Sequence, residues 1–210
     1  MIDNFNQIRN LLQFNSPNDF YFVQIIRRPK ENPGLKEGKG NRTRCVKSYY
    51  ISSREQLEAH KEEIIELCRL FNARAYIRMN YCDESRISLQ MMKEISDHIL
   101  SGNFHGVRRA YDSCCGKYSG SDKDRKYWII ALDGDEVNLI PEITDIIENQ
   151  CEPFDHKKVI TQVPTKNGAH LLVRPFNVKK FGELTQKIST EDIKKHALTI
   201  LYIPQISIVI

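Results

Sequence analysis

Asp133 and Asp135 stand one residue apart, separated by Gly134, where the apolar run Tyr127 to Leu132 ends. Two carboxylates so spaced can converge on one point while the glycine lets the backbone bend, which suits a divalent cation such as Mg2+ or Mn2+. The same acids would also serve as an N-cap for a following helix, with no metal required. His170 comes next in importance. It follows the turn Pro164 to Gly168 on the otherwise apolar stretch Ala169 to Val173. A histidine there either satisfies a hydrogen bond in the core or faces a ligand. Strand alternation places Arg174 on the His170 side. Acids holding a metal, with His170, Arg174, Arg78 and Lys166 on phosphate oxygens, would suit a nucleoside triphosphate. Nucleotidyl transfer uses such a metal clamp on its attacking and leaving oxygens.

A second group of residues points to phosphates. Between Arg27 and Lys47 stand Arg27, Arg28, Lys30, Lys36, Lys39, Arg42, Arg44 and Lys47 against only Glu31 and Glu37. The chain's formal charge is only +4, so most of its excess lies in this segment. Arg27, Arg28, Lys36, Lys39, Arg42 and Arg44 are therefore candidate nucleic-acid contacts, and such contacts make affinity salt-dependent. Arg74, Tyr76 and Arg78 alternate with Ala73, Ala75, Ile77 and Met79, giving a strand with one apolar and one basic, aromatic face. That second face could stack bases and bind phosphates.

These residues need elements to position them. Residues 4–14 have helical spacing, while Asp19 to Arg27 and Arg44 to Ile51 read as the two strands of a hairpin joined by the basic, glycine-containing connection. Ser52 and Glu55 fit a capping box for a helix reaching about Asn72. Residues 73–80 form a strand, and Asp83 caps a helix through Ile87, Met91, Ile95 and Ile99. Tyr127 to Leu132 reads as a central buried strand, and Val137 to Asn149 as a helix with Pro141 in its first turn. A hairpin of Lys158 to Val163 and Ala169 to Val173, a helix near 177–187 and a strand Leu198 to Ile203 complete the reading. The fold class expected is α+β. Its sheet is mixed and mainly antiparallel, with an RNA-recognition-motif-like (ferredoxin-like) core and flanking helices.

The segment YWIIALDGD followed by TKNGAHLLVRPF resembles the archaeo-eukaryotic primase (primase-polymerase) superfamily. In that fold an acid-terminated strand is followed by a hairpin with a small-x-His motif. Gly168-Ala169-His170 matches the motif, and ARAYIRMN looks like the early core strand; the resemblance spans residues 70–203. It implies a metal-dependent DNA or RNA nucleotidyltransferase centred on Asp133, Asp135 and His170, with nucleic acid and nucleoside triphosphate as partners. The sequence departs from the pattern twice. Aligning the hydrophobic run puts Ala131 at the first acid, leaving Asp133, and a third acid is replaced by His196, with Asp192 upstream. The alternative is a non-catalytic nucleic-acid-binding or accessory protein on the same fold.

Composition sets outer bounds. A chain of 210 residues with 40% hydrophobic content suits one domain, residues 1–52 being an N-terminal helix and hairpin with the basic loop and 53–210 the primase-like core. No stretch approaches the roughly 20 apolar residues of a membrane span, and the start is polar, so a cytoplasmic protein is expected. The six cysteines lack disulfide or zinc-site spacing and read as reduced, mainly packing thiols.

Overall fold

The computed structural model describes residues 1–32, 44–120, 126–185 and 187–205. In chain order its elements are β1 (Ile2–Asp3), α1 (Phe5–Leu11), β2 (Asp19–Arg27), β3 (Arg44–Ile51), α2 (Arg54–Leu70), β4 (Arg74–Arg78), β5 (Cys82–Asp83), α3 (Glu84–Leu100), α4 (Phe104–Val107), α5 (Ala110–Tyr118), β6 (Trp128–Asp133), α6 (Ile140–Gln150), β7 (Val159–Pro164), β8 (Gly168–Val173), α7 (Val178–Leu184), β9 (Ile193–Lys194) and β10 (Leu198–Ile203). Short 3-10 turns lie at Pro29–Glu31, Gly134–Leu139 and Thr190–Asp192.

The architecture is α+β, but the one mixed sheet expected from sequence is replaced by two sheets. All strand pairs among the described residues are antiparallel. The first sheet runs β1-β10-β4-β2-β3, with β5 also on β2, and the second runs β7-β8-β6-β9. The reason is pairing: β4 is occupied on both edges by β2 and β10, while β6 pairs with the hairpin strand β8, as expected, and with β9, so no strand joins the two sets.

Alternation explains the layering. In β2, Tyr21, Val23 and Ile25 face the core beneath α1 and α2, while Phe20 and Phe22 face Cys82, Ile87, Cys114 and Cys115 under α3 and α5. Apolar residues on both faces make β2 a strand that cannot lie at the surface. In the second sheet, Ile130, Leu132, Leu171 and Val173 pack on Ile143, Ile147 and Phe181 of α6 and α7. Its other face supplies Ile129, Val163 and Leu172 to the first sheet's core. The two sheets therefore meet along a shared apolar seam.

Local signals behaved mainly as their chemistry requires. The cap of α2 moves by one residue: Ser53 Oγ accepts from the Gln56 amide at 3.0 Å, while Ser52 engages the Gln56 side chain. Two adjacent serines both offer an oxygen, and it is Ser53, with extended backbone, whose side chain caps the helix. Asn80, fully buried, clips β6 to the end of β4. Its Oδ1 accepts from Tyr127 N at 2.7 Å and its Nδ2 donates to Tyr127 O at 3.0 Å. Five of the six free cysteines are buried and Cys45 is exposed.

Candidate active site

Antiparallel register brings the acid and the histidine together. Across β6 and β8, Asp133 faces Gly168, Ala131 faces His170 and Ile129 faces Leu172. Directly paired residues share a sheet face, so Asp133, Ala131 and His170 lie on one face, the one turned toward the first sheet. Asp133 and His170 are diagonal neighbours, which places the two residues about 7–8 Å apart with their Cβ atoms somewhat closer. That separation suits one ligand held between them.

The turn of the β7–β8 hairpin holds the acidic tip. Gly134 N donates to Asn167 O at 2.9 Å, and Thr165 N to Gly168 O at 2.9 Å. A Cβ on Gly168 would stand 2.0 Å from Leu132 O, so only glycine permits this approach of the two backbones. Gly134 has φ +58, a left-handed turn that redirects the chain after Asp133. Glu136 Oε2 accepts from the Asp133 amide at 2.9 Å, so Asp133 also begins the 3-10 turn. Asp135 is exposed on that turn, off the pleat that aligns Asp133 with His170. The cap and ligand readings of the acids are thus compatible for Asp133.

His170 sits at the seam between the sheets. Its Nδ1 lies 3.0 Å from Thr199 Oγ1 on β10, and Thr199 is fully buried. Burial pushes the imidazole below the ordinary histidine range, and the nearby Asp133 carboxylate opposes this without overcoming it. A lowered folded pKa means that the native state takes up its proton later than the unfolded chain. Below about pH 6.5 His170 therefore costs stability until its own pKa is passed. Asp133→Asn should move the His170 pKa further down, read by NMR titration of the imidazole signals. No movement would mean that the carboxylate does not act on the ring.

The other candidates are dispersed. Arg174 shares the face of His170 but lies at the far end of the strand, its guanidinium 5.0 Å from the Tyr127 ring centre. Arg78 follows Ile77, the partner of Thr199, so alternation turns it to the opposite face of the first sheet from His170. There it backs onto Gly116 and donates to His196 O at 2.6 Å. Lys166, on the hairpin turn, pairs with Glu31 at 3.0 Å. Glu31 also binds Arg74 through a two-pronged contact, one leg of which is Nε to Oε2 at 2.9 Å. Arg74 is therefore a buried structural cation, and the expected basic face of β4 is not an open phosphate surface. Burial raises the Glu31 carboxyl, but its hydrogen bonds and attraction to Arg74 and Lys166 outweigh this and hold it below the usual range.

Arg27 reaches Asn32 Oδ1, and Arg28 is exposed at the edge of the same segment. Arg44 pairs through its backbone with Arg27, while Lys36, Lys39 and Arg42 lie outside the described residues. Because Glu31 joins Lys166, the base of the basic segment is tied to the turn that supports Asp133. His196 is exposed on the connection to β10, and Asp192 lies on a 3-10 turn. Thr199 was the residue missed: Ile200 and Leu201 beside it make the strand read as pure core.

Among the described residues no group of three or more His, Cys, Asp and Glu is arranged to hold a metal ion. Among them, too, no helix is long and apolar enough to cross a membrane. Comparison with protein-family models, curated proteins and solved structures returned no match.

Proposed function

We propose that this protein binds a nucleoside triphosphate, as its Mg2+ or Mn2+ complex, at the end of the second sheet where Asp133 and His170 share a face. The observation carrying this reading is the β6–β8 register, which sets a carboxylate diagonal to an imidazole on adjacent central strands. Asp133, assisted by exposed Asp135, would contact the cation that arrives with the phosphates, and His170 a phosphate oxygen, with Thr199 orienting its ring. A resident two-metal centre does not fit: the position opposite His170 is Ala131, and β10 presents a neutral hydroxyl. We accordingly place binding ahead of nucleotidyl transfer.

The fold-level part of the proposal is a ferredoxin-like unit of primase-polymerase type. Its support is the succession β6-α6-β7-β8-α7-β9 with strand order β7-β8-β6-β9, a split βαβ arrangement. Both candidate residues then lie on the two central strands. The likeness in fold carries no activity by itself.

Nucleoside triphosphate with Mg2+ should raise the melting temperature, and Asp133→Ala should remove most of that gain. At ligand one hundred times Kd, the stabilisation corresponds to about 2.7 kcal/mol. A gain equal in wild type and Asp133→Ala would refute the site. A non-catalytic nucleic-acid-binding role is the second reading, favoured by the Glu31–Lys166 link between the basic segment and the site turn. It requires binding that weakens steeply with salt.

A further inference from the structure

A separate groove of about 770 Å3 opens at the opposite end of the second sheet, lined by Lys126, Trp128, Lys157, Arg174 and Phe176 among others. Trp128 begins β6 and Asp133 ends it, so the groove lies about 16 Å along the strand from the acidic tip. Its size falls within the range of small-ligand sites.

Three features define what it would accept. Its lining includes the permanent cations Lys126, Lys157 and Arg174 and, among the described residues, contains no carboxylate. His156, also on the wall, is engaged by the adjacent Asp155 at 2.6 Å. The apolar part of the wall is planar or flat: Trp128 with Phe176 packed against it at 5.7 Å between ring centres, together with Pro153 and Pro175. The Trp128 indole N–H is buried and has no acceptor among the described residues. A donor so placed costs free energy unless a ligand oxygen or nitrogen meets it.

Arg174 is held over the Tyr127 ring, which limits the conformational freedom it would lose on binding. Lys195 lies 5.4 Å from the Trp128 ring centre and adds positive charge beside the groove. A flat apolar wall, an unmet donor and an excess of cations together select an aromatic anion with acceptor atoms.

We propose that this groove binds a nucleobase–phosphate unit, the base against Trp128 and its flanking prolines and the phosphate on Lys126, Lys157 and Arg174. Base stacking on aromatic walls combined with cationic grooves is the general chemistry of single-stranded nucleic-acid binding. The unit can come from a free mononucleotide or from a strand. This site does not depend on the acidic tip.

Trp128 is the only tryptophan in the chain, so the intrinsic tryptophan emission arises at this groove. We would titrate the full chain with AMP and, separately, with a short oligothymidylate, in EDTA. Quenching by both indicates the mononucleotide unit as ligand, and quenching by the oligonucleotide alone indicates a strand.

The affinity should fall at least tenfold in the surface variant Lys126→Glu/Lys157→Glu, whose fold is checked by circular dichroism. It should be unchanged in Asp133→Ala. Emission unaffected by either probe, or affinity indifferent to the lysine changes, would overturn the groove as a site. Loss of quenching in Asp133→Ala would assign the ligand to the acidic tip and overturn it equally. Conversely, failure here with intact Mg2+-dependent stabilisation at Asp133 would leave the first proposal standing.

Discussion

Replacing Gly168 by alanine is expected to destabilise the protein by about 3 kcal/mol or more, at the upper end of the cost of overpacking. The added Cβ would meet Leu132 O at 2.0 Å and Asp133 Cα at 2.9 Å, both main-chain atoms that cannot swing away. β6 and β8 would have to part where Asp133 pairs with Gly168. The effect should be specific to close approach. At Gly134, by contrast, a Cβ has nothing within 4 Å but φ is +58, so Gly134→Ala should cost about 1–2 kcal/mol, the left-handed penalty alone. Urea denaturation of the two variants compares them directly. A Gly168→Ala protein as stable as wild type would remove the argument that the turn grips the acidic tip.

Glu31→Ala should cost about 3 kcal/mol, because it leaves Arg74 buried without its counter-charge. The Glu31 and Arg74 side chains retain only 11% and 10% of their exposure, whereas Lys166 keeps 42% and contributes less. Replacing Glu31 and Arg74 together by apolar residues should recover much of the loss. The pH dependence has a definite sign. A carboxylate whose folded pKa is depressed stabilises the protein fully above its unfolded value of about 4.5 and loses that contribution as pH falls through the folded value. Acid unfolding of Glu31→Gln should therefore show a shallower loss of stability below about pH 4.5 than wild type. Equal acid slopes would mean that the pair has no such linkage.

Glu31 also illustrates what could and could not be read from the chain. Periodicity located β2, β3 and β10 at the observed residues, because their aromatic and β-branched content favours extended backbone locally. The separation into two sheets was not legible. It depends on which strand edges meet, and β4 carries the alternation of any half-buried strand whether it pairs with β6 or with β2. Arg74 and Arg78 likewise read as an open basic face because their neutralising or capping partners, Glu31 and the His196 carbonyl, are remote in sequence.

At the candidate site, Asp133 and His170 stood out by residue type, and their shared face followed once the register was known. Asp135 did not follow, since the left-handed Gly134 takes it out of the strand. Thr199 carried no signal of its own. A threonine in a strand is ordinary, and only the packing of β10 against β8 gives its hydroxyl an imidazole to meet. Ala131 acquires meaning the same way, as the small residue directly across from His170.

The placement of β10 has a kinetic consequence. It lies inside the first sheet, between β1 and β4, and Ile203 pairs with Ile2. Asn4 on that side reaches the carbonyl of Ile200, 196 residues away along the chain. Closing so long a loop must precede the contacts that reward it, which slows folding of such topologies. Before that closure the second sheet can pair its own strands, which are near in sequence, but His170 gains its hydroxyl partner, and Ile129 and Leu172 their cover, only when β10 is in place. The face shared by Asp133 and His170 is thus completed by β10, the strand that also makes the most distant pairing among the described residues.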